Sequence, residues 1–302
     1  ENIMTISFKD KVVIVTGSGN GLGRSHALQF AQRGAKIIVN DLGGSVDGSG
    51  GSSEAAEKVV EEIKQNGGEA IANGSSVTDK VGVKKLVDDA MAAFGRIDIL
   101  VNNAGVLRDK SFAKVTLEDF EFVVDVHLMG SVYCTKAVWP IMVEQNYGRI
   151  VMTSSSSGVY GNFGQTNYGS AKLGVVGFMN SLKIEGQKYN IKVNSLIPVA
   201  ATRMTESLMP KEALEKLQPD VVSPAVLFMA SDDAPTGIML SAGAGVYALA
   251  QIVQAPGVAL TGDDANPDKI AERWSEISDM SEAKALVTGA EHTTEIFKKL
   301  NS

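Results

Sequence analysis

The sequence predicts a doubly wound α/β fold: a seven-stranded parallel sheet in a single domain over residues 5–245, with a C-terminal extension over 246–302 packed on that domain. Three observations predict it. Short β-branched runs alternate with helical patterns along most of the chain. A glycine turn follows the first of these runs, and the 302 residues are 44% apolar, ample for one substantial core.

Residues 12–16 are β-branched and form the first strand; after the glycines, 22–33 carry apolar residues at helical spacing until Gly34 ends the helix. The second strand is 37–40. A helix over 54–65, a strand near Ala70 and a helix over 80–94 continue the alternation. Strands at 98–102, 149–153, 192–196 and 238–240 complete the set, and long helices are expected at 118–143 and 168–187. Residues 43–53 are Gly/Ser-rich and read as a flexible insertion, too short to divide domains. In the extension, Asn266 and Pro267 suit an N-cap and first turn for a helix through about Ile277.

A formal charge of −7 argues against a nucleic-acid partner, which is usually met by a basic stripe. The one cysteine, Cys134, lies in an apolar segment, so no disulfide framework or thiolate metal site is expected. His26, His127 and His292 are scattered without carboxylates at ligand spacing, and no metal is expected. Residues 238–260 are uncharged, but their serines, glycines, glutamines and proline dilute the hydrophobicity, so no membrane span is expected. With no export signal at its start, the chain is expected in the cytoplasm.

The chemistry begins at Gly17, Gly21 and Gly23. Such a turn, here with Asn20 and Leu22 between the glycines, brings backbone close to a pyrophosphate at the positive end of the following helix. Leu22 stands where G-x-G-x-x-G would have its third glycine. Asp41, about 20 residues on, is placed to accept hydrogen bonds from adenosine ribose hydroxyls, which favours NAD. Arg24 offers a 2′-phosphate a partner, yet Leu42 supplies no second cation, so NADP is the minor reading.

Tyr168 and Lys172 share a helix face at i and i+4, so an ammonium can be held beside a phenol. An ordinary helix surface gives the same spacing. Of the six tyrosines, however, only Tyr168 has lysine four residues on and follows a serine-rich strand end, where Ser155 can hold a reacting oxygen. These residues point to proton exchange with an alcohol.

Through Thr16-Gly17-x-x-x-Gly21-x-Gly23, Asn102-Asn103-Ala104-Gly105, Ser155 and Tyr168-x-x-x-Lys172 the sequence resembles the classical short-chain dehydrogenase/reductases, which have a Rossmann fold. Within them it resembles the (3R)-hydroxyacyl-CoA dehydrogenase part of type 2 peroxisomal multifunctional enzymes, over nearly the whole chain. The resemblance implies that Asn103, Ala104 and Gly105 line the cofactor, that Ser76 and Val77 flank its adenine and that the segment from Pro198 covers its nicotinamide. It implies that Tyr168 is the general acid/base, that Lys172 lowers its pKa and holds the nicotinamide ribose, and that Ser155 orients the substrate oxygen. His127 stands where the wider family has a catalytic asparagine; a proton relay and a helix histidine satisfied by backbone are both open.

The expected activity is NAD-dependent interconversion of a (3R)-3-hydroxyacyl-CoA and its 3-keto form. A 17β-hydroxysteroid or another hydrophobic secondary alcohol is the enzymatic alternative, and an NAD(H)-binding redox sensor without turnover is the alternative of another class. Residues 251–255 lack the positive charges these relatives carry, which puts pairing with CoA phosphates in question. A homodimer or homotetramer is expected, built on the helices at 118–143 and 168–187. If the chain were part of a larger multifunctional protein, its compartment would be the peroxisome.

Overall fold

A computed structural model describes residues 6–200 and 211–301. The predicted alternation of strands and helices is present: β1 (Val12–Thr16), α1 (Gly21–Gln32), β2 (Lys36–Asn40), α2 (Glu54–Gln65), β3 (Glu69–Asn73), α3 (Lys80–Phe94) and β4 (Ile99–Asn102). Next come α4 (Leu117–Val124), a π-helical turn (Asp125–Met129), α5 (Gly130–Gln145), β5 (Gly148–Thr153), α6 (Ser156–Tyr160), α7 (Thr166–Gly186) and β6 (Ile191–Pro198). After the undescribed segment lie α8 (Lys211–Lys216), α9 (Ser223–Met229), β7 (Met239–Gly243) and β8 (Val246–Ala250).

The sheet has eight strands in the order β3-β2-β1-β4-β5-β6-β7-β8, one more than expected. Strands β1 to β7 pair in parallel. The eighth follows β7 after only Ala244 and Gly245, both at positive φ (51° and 77°), a connection short enough only for an antiparallel neighbour. Its side chains are mostly exposed, so the alternation of buried runs that identifies the other strands is absent from it.

Both sheet faces are buried, which is why the strands read as continuous apolar runs. Val13, Val15, Ile37 and Val39 join Ala27 and Phe30 of α1, Val59 and Ile63 of α2 and Val226 and Met229 of α9 in one cluster. The alternate residues face the side covered by α3, α5 and α7. The strand order reverses between β1 and β4, and α/β sheets bind ligands in the crevice at such a switch point.

The chain divides into two compact units, Glu1–Leu249 and Ala250–Ser302. The expected boundary at 245/246 moves because β8 belongs to the sheet. In the second unit Asn266 caps a helix as expected, its side chain accepting from the Lys269 N–H at 2.9 Å. That helix is two pieces, α10 (Pro267–Glu272) and α11 (Trp274–Ile277), and a further helix α12 (Gly289–Leu300) follows. Among the described residues no helix is long and apolar enough to cross a membrane.

Candidate active site

At the switch point the loops leaving β1 and β4 are bonded together. The Thr16 hydroxyl accepts from the N–H groups of Asn103 and Ala104 at 3.0 and 3.1 Å, and the Asn103 amide donates to the Thr16 and Gly17 carbonyls at 3.0 and 2.9 Å. A Cβ on Gly17, whose φ is +63°, would stand 2.7 Å from the Ala104 backbone, so only glycine allows this approach. Gly23 sits behind the turn: its own Cβ would fall on the Gly17 carbonyl oxygen. It therefore packs the helix against the loop and, alone among the predicted cofactor residues, does not line the cavity.

That cavity has a volume of about 620 Å³. Gly17, Asn20, Gly21, Leu22, Asp41, Ser76, Val77, Asn103, Ala104, Gly105, His127, Ser155, Tyr168, Lys172 and Pro198, all predicted from sequence, line it together. Its donor set fits a dinucleotide. Helix α1 presents its N-terminus with no side-chain cap, leaving backbone N–H groups for an anion. The Asp41 carboxylate is fixed by the N–H groups of Gly19 and Gly43, each at 2.7 Å, and each oxygen keeps a lone pair for a hydroxyl. Arg24 is paired with Glu62, so it is not a free cation for a 2′-phosphate.

The catalytic candidates come from β5, α6 and α7. Ser154 donates to the Lys172 carbonyl at 2.7 Å, and Lys172 Nζ donates to the Thr153 carbonyl at 2.7 Å, so α7 is pinned to the end of β5 at both backbone and side chain. Gly158 lets α6 approach α7, since a Cβ there would lie 2.8 Å from the Leu173 nitrogen. Ser155 caps α6, its hydroxyl accepting from the Ser157 N–H at 3.2 Å.

Burial pushes the Tyr168 phenol above its ordinary value, the Ser155 hydroxyl pulls it down and the Asp109 charge pushes it up. The Ser155 bond favours the phenolate without outweighing burial. The lysine nitrogen lies 5.5 Å from the Tyr168 ring centre, and burial lowers its own pKa to about 7, so near neutral pH it is only partly charged.

His127 occupies the π-turn, a feature frequent at functional sites. Its Nε2 faces the Val106 carbonyl at 2.7 Å and the Val106 N–H at 3.0 Å, serving one or the other according to tautomer. The ring stands edge-on to Tyr168 with centres 5.0 Å apart. Burial, then the Lys172 charge, hold it well below the usual histidine range, and the Val106 bond opposes this only in part. It is a neutral ring, satisfied at one nitrogen by backbone, with Nδ1 unpartnered.

Three contributors escape the sequence reading. Gln165 donates to Asp109 at 2.6 Å and accepts from Ser157 and Asn162 at 2.6 and 3.0 Å, tying the loop before α7 to the segment after β4. Thr153 lines the cavity with its hydroxyl buried and unpartnered. Gly44, Ser45, Val46 and Gly48, from the insertion expected to be flexible, also form part of the wall. No pattern of spacing marks these positions, because their partners lie across the fold.

Residues 11–213 match the family model described as short chain dehydrogenase. The chain is 48% identical to peroxisomal multifunctional enzyme A of Dictyostelium discoideum, over 99% of this chain and 67% of that protein. It is similar to the solved full-length peroxisomal multifunctional enzyme type 2 of Drosophila melanogaster, with TM-score 0.83 and 37% identity over 98% of this chain and 50% of that one. A third likeness is to a 7α-hydroxysteroid dehydrogenase solved with NADH and 7-oxo glycochenodeoxycholic acid, with TM-score 0.71 and 29% identity over 79% of this chain and 95% of that one. The chain thus spans about half the length of the Drosophila enzyme. It belongs to the short chain dehydrogenase family, oxidoreductases that act on CH–OH groups.

Proposed function

We propose that this chain interconverts a (3R)-3-hydroxyacyl-CoA and the 3-ketoacyl-CoA with NAD(H) as cofactor. The observation that carries the proposal is the single cavity that holds Ser155, Tyr168 and Lys172 together with the glycine turn and Asp41. A bound nicotinamide supplies the hydride acceptor or donor. Ser155 holds the substrate oxygen. In oxidation Tyr168 takes the hydroxyl proton as the carbinol C–H leaves with its electron pair and the C=O bond forms; in reduction the phenol returns it. Lys172 supports the phenolate whenever it carries its charge. We assign His127 to the wall behind Tyr168 rather than to a relay, since an imidazolium is costly in so buried a place.

The acyl-CoA substrate is supported by likeness to multifunctional enzymes across almost the whole chain. The likeness to a steroid dehydrogenase favours a hydroxysteroid as the second reading. Incubation with NAD and a panel of (3R)- and (3S)-hydroxyacyl-CoAs and hydroxysteroids, followed by NADH absorbance, separates them. We expect turnover of the (3R) thioesters. Turnover of steroids alone would replace the substrate, and NADH binding without any turnover would favour a redox sensor.

Arg108 and Lys110 share the single Asp119 carboxylate, at 2.8 and 3.0 Å, so together they offer CoA phosphates one net positive charge, and residues 251–255 add none. A pantetheine-truncated thioester should therefore keep catalytic efficiency within about tenfold, or ~1.4 kcal/mol.

Asp41 should give NAD about a hundredfold preference over NADP, ~2.7 kcal/mol, by facing a 2′-phosphate with like charge. Comparable rates with both cofactors in a steady-state assay would remove Asp41 from that role. Asp41→Ala should narrow the gap mainly by weakening NAD, since it also frees the Gly19 and Gly43 N–H groups.

We further propose a homodimer or homotetramer covering Leu173 and Ile184, which α7 leaves exposed; sedimentation at micromolar concentration measures its mass. The relatives' names support a peroxisomal over a cytoplasmic setting, and imaging of the tagged full-length protein tests it.

A further inference from the structure

The insertion after β2 is built as a strap across the cavity beside Asp41. Its base is pinched: the Ser52 N–H donates to the Leu42 carbonyl at 2.9 Å, and Gly43, at φ +74°, passes so close to the Ser52 carbonyl that a Cβ would overlap it. Its tip is a knot in which the Asp47 carboxylate accepts from the hydroxyls of Ser45 and Ser49, at 2.5 and 2.8 Å, and from the Ser49 N–H at 3.0 Å. The strap is also fastened on the far side of the cavity. The Leu107 N–H donates to the Val46 carbonyl at 2.9 Å, and Arg108 Nε donates to the Asp47 carbonyl at 3.2 Å.

Arg108 is itself held in place. It pairs with Asp119 at 2.8 Å, and its guanidinium stacks on the Phe122 ring at 4.2 Å from the centre. Gly48 meets the same ring: a Cβ there would lie 2.7 Å from it, so the strap's tip lies flat on Phe122. Four strap residues, Gly44, Ser45, Val46 and Gly48, line the cavity with Asp41, Leu42, Ser76 and Val77.

We propose that this strap is a clamp on the adenosine half of the dinucleotide, latched by Arg108, and that its opening sets the rate at which the cofactor leaves. The inference rests on the proposed NAD(H) reading of the cavity. Arg108 acts here as a positioning residue, through the Asp47 carbonyl and Phe122 rather than on the reacting atoms. A latch of this kind tunes the release rate more than the capture rate.

The test uses the full chain and two variants that break the latch from opposite sides. Arg108→Met removes the guanidinium, and Gly48→Val keeps it but drives a side chain into the Phe122 ring on which both the strap tip and Arg108 rest. Stopped-flow fluorescence should show NADH leaving each variant at least about tenfold faster than wild type, with capture within about threefold. ADP-ribose, competing with NADH, should lose affinity by the same factor, whereas nicotinamide mononucleotide should bind all three proteins alike. Release rates within twofold of wild type in both variants, or a loss for nicotinamide mononucleotide equal to that for ADP-ribose, would overturn the clamp while leaving the activity standing. Failure of wild type to bind NADH at all would overturn the reading of the cavity, and the clamp with it.

Discussion

Tyr168→Phe should lower turnover by ~10² to 10⁴ while leaving NADH affinity nearly unchanged. The substitution removes one oxygen and keeps the ring, so the edge-on contact with His127 survives. What is lost is the phenol that bonds the Ser155 hydroxyl, and with it the group that exchanges the substrate proton. Because burial and Asp109 hold that phenol above its ordinary value, oxidation, which needs the phenolate, should accelerate as pH rises above neutrality. Reduction, which needs the phenol, should not gain. Single-turnover NADH formation across pH, beside NADH fluorescence titration, tests both statements; near wild-type turnover in the phenylalanine variant would take Tyr168 out of the mechanism.

Much of the fold was legible because its signals are local. Helix α3 matches its expected limits: Asp79 caps it through the Val81 N–H at 3.0 Å, and Gly95 ends it at φ 72°. The glycine turn and the Tyr168–Lys172 spacing are likewise each written within a few residues, and Asp41 stands at a fixed offset from the turn. The π-turn at Asp125–Met129 is not. A single helix over 118–143 is what the apolar spacing implies, and the interruption coincides with the bond from His127 to the Val106 backbone, a partner 21 residues away. Helix α12 was legible and missed, since Thr288 followed three residues on by Glu291 is the capping-box pattern; Thr288 accepts from the Glu291 N–H at 3.1 Å and the Glu291 carboxylate from the Val287 N–H at 2.7 Å.

The candidate site divides in the same way. Residues marked by spacing or by the family resemblance line the cavity, and those that join it through a partner elsewhere in the fold carry no such mark. Gln165 joins Asp109, Ser157 and Asn162, none of which marks it in sequence. The insertion misled through composition: glycine and serine imply mobility in isolation, but Leu107 and Arg108 give this stretch fixed partners.

Lys172→Met should cost turnover about 10³-fold yet raise thermal stability at pH 6. Burial lowers the Lys172 pKa from 10.5 to about 7. Below pH 7 the lysine is charged in both folded and unfolded chains, so the folded chain bears the full cost of a buried ammonium. Between about 7 and 10.5 the unfolded chain holds more protons, and wild-type stability rises with pH. That gap is worth ~5 kcal/mol. Against it stands the lost bond to the Thr153 carbonyl, at 2.7 Å in the structure and worth ~1 to 3 kcal/mol. The balance favours methionine by ~2 to 4 kcal/mol at pH 6; since wild type gains ~1.4 kcal/mol per pH unit above about 7, the advantage should vanish between about pH 8.5 and 10 and reverse above that. Turnover moves the other way, because burial and Asp109 already keep the proton on Tyr168 and a buried cation beside it is gone. Calorimetry at pH 6 and pH 10 with steady-state rates measures both effects. A methionine variant less stable than wild type at pH 6 would mean that the lysine is a net structural asset, and one that turns over normally would mean that its charge is not used in catalysis.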